Sequence, residues 1–303
     1  MEIKWLGNVE KYVGINVEED SDGVYWINQT SYIDNILKKF SLENSRTARI
    51  PLDPGYYKRN SNLLPNNRLY RQAIGSLLYI AVNTRPDIAA SVSILSRRVS
   101  NPRAHDWTEV KRILRYLKGT KHLQLKMGDL KKLNETQLVG YADADWGGDQ
   151  EDRKSNSAYM FFYHGGLISW SSRKQTCVSL LSTEAENILL VEACQEALRL
   201  KGLLEDFNEC ENLKIVVNED NQSCFKLLSC ERITTRSKHI GTKYNFCKDL
   251  NNNNVAMFQY YSTDSMVADA LTKPLAGRKF GRHVTSMGLC DVIIEKGIVA
   301  GWQ

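Results

Sequence analysis

Four acidic residues occupy positions where a buried carboxylate would be costly unless a cation neutralised it. Asp143 stands at the end of a predicted strand, and Asp220 follows another. Glu186 falls in the first turn of a long predicted helix, on its apolar face, and Asp269 lies among apolar neighbours in a later helix. Hard divalent cations such as Mg²⁺ bind oxygen ligands of this kind. We therefore interpret the four residues as candidate metal ligands.

Such an arrangement would suit phosphoryl chemistry. Four carboxylates at one point repel each other unless two cations neutralise them, and two cations roughly 3.5 to 4 Å apart can hold both oxygens of an in-line displacement. Residue types alone leave alternatives open. Asp145 has the same strand parity as Asp143, and Asp220 could simply cap a helix. Glu184 lies about 200° around the helix from Glu186, so only one of the two can face a sheet.

The predicted elements of residues 137–290 would position these acids. "QLVGYADADW", "SAYMFFYHGG" and "LISWSSRKQ" predict three consecutive strands, and the helix that begins near Ser182 follows them. Further alternation of strands and helices predicts the order βββαβααβα. We therefore expect an α/β (α+β) fold with one mixed sheet covered by helices, and candidate sites lie at the carboxyl ends of such strands.

The preceding region is predicted to be mostly helical after an N-terminal hairpin that turns at Asp22-Gly23. Residues 58–135 carry 16 Lys and Arg but 5 Asp and Glu, which favours a polyanion partner. Much of this charge lies on one face of a predicted helix, on Lys111, Arg112, Arg115 and Lys118. These four are candidate nucleic-acid ligands, although a solvated basic helix without a partner would have the same pattern.

The composition is that of a soluble globular protein, with 42% hydrophobic and 25% charged residues in 303. There is neither an apolar run of about 18 to 20 residues nor an apolar leader at the N-terminus, so we expect no membrane partner and no secretion. The seven cysteines are scattered, without a C-x-x-C pair. We expect reduced thiols, no sulfur-based metal site, and an intracellular location, in a cytoplasmic particle or the nucleus.

Several blocks resemble, in order, the Pol polyprotein of copia-type retrotransposons. They include "YRQAIGSLLYIAVNTRPDIAASVSILSRRVSNPRAHDWTEVKRILRYLKGT", "GYADADWGGDQEDRKSNSAYMF", "LISWSSRKQTCVSLLSTEAE", "EDNQSC", "RSKHIGTKYNF" and "VADALTKPL". The resemblance implies that residues 1–57 hold the hairpin at the end of the reverse transcriptase palm and the start of the thumb. It further implies a basic thumb and connection segment at 58–136, a ribonuclease H-like domain at 137–290 and a tail at 291–303.

The resemblance also implies a function. The family's catalytic acids fall on Asp143, Glu186, Asp220 and Asp269, in preference to Asp145. These residues are expected to hold two Mg²⁺ ions, with Mn²⁺ as a substitute, and to hydrolyse RNA in RNA–DNA hybrids. The expected partners are a hybrid or other nucleic acid and the remainder of a Pol polyprotein.

A rival interpretation is a catalytically silent or domesticated remnant that binds nucleic acid or protein. The family usually has Tyr and Ala where this chain has Asn187 and Leu189. The paired aspartates of the polymerase are expected upstream of Met1, so no polymerase activity is expected from this chain alone. The four acids favour the nuclease, and the expected lack of the polymerase palm favours the remnant.

Overall fold

The computed structural model describes residues 7–59, 61–128, 137–208, 213–229, 238–293 and 298–300. The chain divides into two compact units. The first unit comprises Met1–Leu130 and Leu275–Gln303, and the second comprises Lys131–Pro274. Within the described ranges, no helix has both the length and the apolar character needed to cross a membrane.

The elements follow one another along the chain as strands, helices and two short 3-10 helices. The strands are β1 (Lys11–Tyr12), β2 (Ile15–Glu19), β3 (Tyr25–Asn28), β4 (Leu123–Lys126), β5 (Gln137–Asp145), β6 (Asn156–Tyr163), β7 (Gly166–Lys174), β8 (Lys214–Glu219), β9 (Ala256–Tyr260), β10 (Leu289–Ile293) and β11 (Ile298–Ala300). The helices are α1 (Thr30–Lys39), α2 (Arg68–Asn83), α3 (Ala89–Ser96), α4 (Ala104–Gly119), α5 (Ser182–Asp206), α6 (Gln222–Ser229), α7 (Lys238–Asn252), α8 (Asp269–Thr272) and α9 (Gly277–Ser286). The 3-10 helices are Tyr56–Lys58 and Pro86–Ile88.

The first unit contains an antiparallel sheet in the order β1-β2-β3-β4-β10-β11, together with α1 to α4 and α9. The hairpin predicted around Asp22-Gly23 is confirmed, because β2 pairs with β3 and Gly23 has the positive φ of 78° that such a turn requires. The helices bury apolar stripes that include Leu77 of α2 and Ile113 of α4. Packing among α1 to α4, together with the contact of α9 with β10, thus contributes to the core of this unit.

A buried ion pair lies within the first unit. Arg85 is 2% exposed, and its guanidinium donates to both carboxylate oxygens of Asp87, at 2.9 and 2.7 Å. The guanidinium also donates to the carbonyl and hydroxyl oxygens of Thr120, and the hydroxyl of Tyr116 donates to Asp87 at 2.6 Å. Each charge therefore has an opposite charge and additional hydrogen bonds. We call these four residues the Arg85 network.

The second unit is built on a five-stranded sheet in the order β7-β6-β5-β8-β9. Strands β5, β6 and β7 form an antiparallel meander, whereas β8 runs parallel to β5 and β9 parallel to β8. The 25-residue helix α5 buries Leu189, Leu190, Ala193, Cys194 and Ala197 against this sheet. The predicted mixed sheet with covering helices is confirmed.

The boundaries of the units differ from those predicted from sequence. The sequence predicts that residues 275–290 belong to the ribonuclease H-like domain and 291–303 to a tail, but β10 pairs with β4 and belongs to the first unit. Phe280 of α9 also packs edge-on against Tyr116. The predicted division at 57/58 does not separate two units either, because Leu52 and Tyr56 are buried in the same unit as α4. Long-range contacts therefore place in one unit several segments that the sequence pattern assigns to different domains.

Candidate active site

The site of the second unit begins with Asp143, near the end of β5. Its carboxylate is 5% exposed and accepts a hydrogen bond of 2.6 Å from the hydroxyl of Thr272. Burial raises the pKa of Asp143 to about 7; the neighbouring acids Asp269 and Asp220 add to this rise, and Lys273 opposes it. A carboxyl with such a pKa is poised to take up a proton or a cation near neutral pH.

Glu186 reaches the same place from the first turn of α5. Its side chain is 5% exposed, and its Oε2 atom has no hydrogen-bond partner within the described part of the chain. Burial raises the pKa of Glu186 well above its usual value, and the charges of Glu219, Asp143 and Asp220 raise it further. The backbone N–H of Ala144 opposes this shift by a hydrogen bond. The site therefore destabilises the ionised glutamate unless a cation joins it.

Asp220 completes a group of three carboxylates. It follows β8 directly and is half-buried. One oxygen from each of Asp143, Glu186 and Asp220 lies within 4.8 Å of the other two. We call these three residues the acidic cluster. The parallel pairing of β5 and β8 explains their approach, because the carboxyl ends of both strands meet at one edge of the sheet.

Asp269, the fourth predicted site residue, stands at the first position of α8 and is buried. It is not one of the three acids whose oxygens converge. Its Oδ1 atom forms an ion pair with Lys273, and its charge raises the pKa of Asp143. Thr272, in the same turn, binds Asp143. The structure thus places Asp269 beside the acidic cluster but pairs it with an ammonium group.

Neither of the two alternatives left open by the sequence is a member of the acidic cluster. Glu184 turns back and its carboxylate accepts a hydrogen bond of 2.7 Å from the backbone N–H of Leu180, so it closes the start of α5. Asp145 is partly buried, and its pKa is raised by burial, but it does not belong to the acidic cluster. The helical argument for Glu186 over Glu184 therefore agrees with the geometry.

Glu219 is a neighbour of the acidic cluster that sequence reasoning missed. It is 0% exposed, and its Oε1 atom accepts a hydrogen bond from the backbone N–H of Asn221 at 3.1 Å. Its Oε2 atom finds no partner among the described residues. Burial raises the pKa of Glu219 well above its usual value. Strand alternation could have found it, because Glu219 shares the parity of the core residues Ile215 and Val217.

The predicted nucleic-acid ligands of α4 lie in the first unit and are half-buried. The guanidinium of Arg112 binds Glu109 at 2.8 Å and lies 3.6 Å from Asp53. Remaining contacts are those of Arg115 with the carbonyl of Lys111, of Lys118 with the carbonyl of Ser45 at 2.5 Å, and of Lys111 with the ring of Trp107. All four basic side chains therefore have contacts within the chain, unlike those of a fully solvated basic face. Their binding to phosphates stays a prediction.

Comparison with known proteins gives relatives over nearly the whole chain. The chain is 35% identical over 289 residues to the retrovirus-related Pol polyprotein from transposon TNT 1-94 of Nicotiana tabacum, covering 92% of this chain and 21% of the relative. The polyprotein from transposon RE2 of Arabidopsis thaliana is 31% identical over 292 residues, covering 96% and 20%. The chain therefore spans about a fifth of the length of these relatives.

A shorter relative is the secreted RxLR effector protein 161 of Plasmopara viticola, 47% identical over 131 residues, or 43% of this chain and 90% of that protein.

Among solved structures, the foamy viral protease-reverse transcriptase in complex with dsDNA is 16% identical, with a TM-score of 0.47, over 84% of this chain and 44% of that chain. RNase H1 from the archaeon Halobacterium salinarum NRC-1 is 15% identical, with a TM-score of 0.34, over 45% of this chain and 94% of that chain. No family model matches the chain. The two long relatives confirm the resemblance carried by the ordered sequence blocks: over 92% and 96% of its length, the chain is similar to retrovirus-related Pol polyproteins of copia-type transposons.

Proposed function

We propose that the second unit is a ribonuclease H module that hydrolyses the RNA strand of RNA–DNA hybrids with two divalent cations, Mg²⁺ or, in its place, Mn²⁺. The observation that supports this most directly is the approach of Asp143, Glu186 and Asp220 to within 4.8 Å of one another. Three acids packed this closely repel each other, and a bound cation would remove the repulsion. The similarity of the chain to Pol polyproteins over 92% of its length also supports a nucleic-acid substrate.

The donor set fits a hard cation. All ligand atoms offered are carboxylate oxygens, which Mg²⁺ prefers. Glu186 also has one buried oxygen without a hydrogen-bond partner in the described ranges, which is expected of a metal ligand when no ion is bound. In this proposal Asp143, Glu186 and Asp220 hold the cations, and Asp269 joins them as the fourth acid. When bound, the cations supply an activated water and stabilise the charge on the leaving 3′ oxygen.

The chain's own groups orient these ligands. The hydroxyl of Thr272 donates to Oδ2 of Asp143, which fixes one oxygen and leaves the other for a cation. The backbone N–H of Ala144 binds Glu186 in the same way. Partners of this kind hold a ligand's orientation and thereby raise its affinity for a metal ion.

Substrate selection would rest on the hybrid's shape. Contacts to 2′-hydroxyl groups in the wide, shallow minor groove distinguish RNA from DNA. Lys111, Arg112, Arg115 and Lys118 would bind phosphates, exchanging their intrachain contacts for the duplex. We place this activity inside the cell, where a Pol polyprotein would act.

The second candidate is the non-catalytic remnant. Asn187 and Leu189 depart from the family pattern beside Glu186. A relative that bears an effector's name, and of which the chain covers 90%, supports a reuse of this sequence outside a Pol polyprotein. This candidate predicts nucleic-acid or protein binding without hydrolysis.

One experiment separates the two candidates. The purified full chain is incubated with a hybrid labelled on the RNA strand, in Mg²⁺, in Mn²⁺ and in EDTA. The nuclease proposal expects cleavage of the RNA strand with either cation and none in EDTA. Intact RNA in every condition, with the chain folded and the hybrid bound, would favour the remnant.

A further inference from the structure

Lys273 brings a positive charge to the edge of the acidic cluster. It follows α8, four residues after Asp269, and its ammonium forms an ion pair with Oδ1 of that residue. The Asp269 carboxylate is 1% exposed, whereas the Lys273 side chain is 38% exposed. The ammonium therefore enters a buried acidic environment from a side that remains open to solvent.

The charge of Lys273 acts on more than its direct partner. Its ammonium opposes the rise in pKa that burial imposes on Asp143 and on Asp145. Conversely, the charge of Asp143 is the strongest influence that raises the pKa of Lys273, against the lowering effect of burial. The Lys273 ammonium therefore interacts with Asp143 and Asp269, two of the acids that would hold the cations in the proposed function.

We propose that Lys273 is a built-in counter-ion that holds Asp269 when no divalent cation is bound and competes with the cation for that carboxylate. The inference rests on the proposed function, because it takes Asp143 and Asp269 as cation ligands. An ammonium and a divalent cation repel each other at one carboxylate, so binding of the cation requires the Lys273 side chain to move away. Its open, flexible stem allows this movement.

The alternative is an ordinary i, i+4 pair at the end of a short helix, and such pairs are weak when exposed. That role would affect only local stability. A counter-ion instead lowers the affinity of the acids for any added cation, since it neutralises part of their charge. The two roles therefore differ in whether removal of the Lys273 charge tightens cation binding.

The test measures cation binding by the full chain without substrate. Mn²⁺ is titrated calorimetrically into the parent chain and into Lys273→Met, Lys273→Gln and Lys273→Arg, and melting temperatures are recorded with and without Mn²⁺. We expect the Met and Gln variants to bind Mn²⁺ about three- to tenfold more tightly, since one screened positive charge is removed. Both should melt at a lower temperature without the cation and gain more from its addition. The Arg variant retains the charge and should bind Mn²⁺ like the parent.

Three outcomes contradict the inference in distinguishable ways. Unchanged or weaker Mn²⁺ binding by both neutral variants, with parental binding intact, overturns the counter-ion role alone. Equal tightening in the Arg variant overturns it too, because the charge would not be the cause. Mn²⁺ binding that is absent from every chain, or unaffected by Asp143→Asn, overturns the proposed function and this inference together.

Discussion

Arg85 in the first unit is buried beside an acid, whereas Glu186 in the second unit is buried beside other acids. The Arg85 network joins opposite charges and hydrogen-bonds each of them further. The acidic cluster joins like charges, and Glu186 and Glu219 each keep a buried oxygen without a partner within the described residues. The charges of the Arg85 network are satisfied within the fold, whereas buried acids without such partners make the acidic cluster a candidate ligand site.

Burial alone does not distinguish an acid in a structural ion pair from a candidate metal ligand. The acids Asp87 and Asp143 are almost equally buried, and both accept a hydroxyl hydrogen bond of 2.6 Å. Asp87 has a bidentate guanidinium, while Asp143 has acids on two sides. Neighbouring charge, and not depth, separates a structural carboxylate from a candidate ligand.

The largest expected effect is the loss of cleavage on Asp143→Asn. The substitution keeps the size of the side chain but removes a charged ligand, and we expect hybrid cleavage to fall by about a thousandfold or more. Asp145→Asn is the matched control and should retain at least partial activity. If Asp145→Asn were the more damaging change in the cleavage assay, the assignment of the first ligand would be wrong.

The next effect concerns the Arg85 network. Asp87→Asn leaves the Arg85 guanidinium buried without its counter-charge, and we expect the free energy of unfolding to fall by about 3 to 5 kcal/mol. Chemical denaturation of the full chain measures this. A loss below about 1 kcal/mol would mean that the network contributes no more than an exposed pair, and the contrast with the acidic cluster would disappear.

The third effect is a pH dependence of stability in the second unit. The pKa of Asp143 is about 7 in the fold and 3.8 ordinarily, so the folded state binds the proton more tightly. The resulting stability is present below pH 3.8 and is lost as the pH rises to about 7. This loss is on the order of 4 kcal/mol.

Asp143→Asn is the variant that isolates this dependence. Without divalent cations it should become more stable relative to the parent as the pH rises from 4 to 8, in paired denaturation curves. Added Mg²⁺ should reverse the advantage, because the parent then gains a ligand. Parallel pH profiles for the two chains would show that Asp143 ionises normally.

A smaller effect is expected from Glu219→Gln. The amide is close in shape to the protonated acid, so near pH 8 we expect a cation-free chain that is about 1 kcal/mol more stable than the parent. The difference should shrink at pH 5, because burial raises the pKa of Glu219 well above its usual value and the lower pH favours the protonated acid. Thermal melts at both pH values provide the measurement. Destabilisation at pH 8 would mean that Glu219 is a satisfied structural residue, like Asp87.

The smallest effect is expected from the basic face of α4. Replacement of Arg112, Arg115 and Lys118 by Ala should weaken hybrid binding and reduce its salt dependence by roughly 0.7 to 0.9 log units per lost phosphate contact. Arg112 already binds Glu109, so part of the effect could be structural. Circular dichroism of the variant controls for folding, and an unchanged salt slope would return this face to the interpretation of a basic helix without a partner.

The sequence by itself determined the elements and most of the candidate ligands. Strand alternation and helical periodicity reflect local geometry, so the hairpin, α5 and the mixed sheet could be predicted from residues. The choice of Glu186 over Glu184 also followed from the helical repeat of α5. The family resemblance, carried by ordered blocks, assigned Asp143, Asp220 and Asp269.

Only the tertiary structure decided which charged groups meet. The pairing of β10 with β4 joins residues more than 160 positions apart, and no local sequence pattern predicts it. The contacts of Arg112 and Lys118 with distant segments, and the position of Lys273 near Asp143, are likewise long-range. Charge interactions depend on distance and on burial, and both are fixed when the segments pack together.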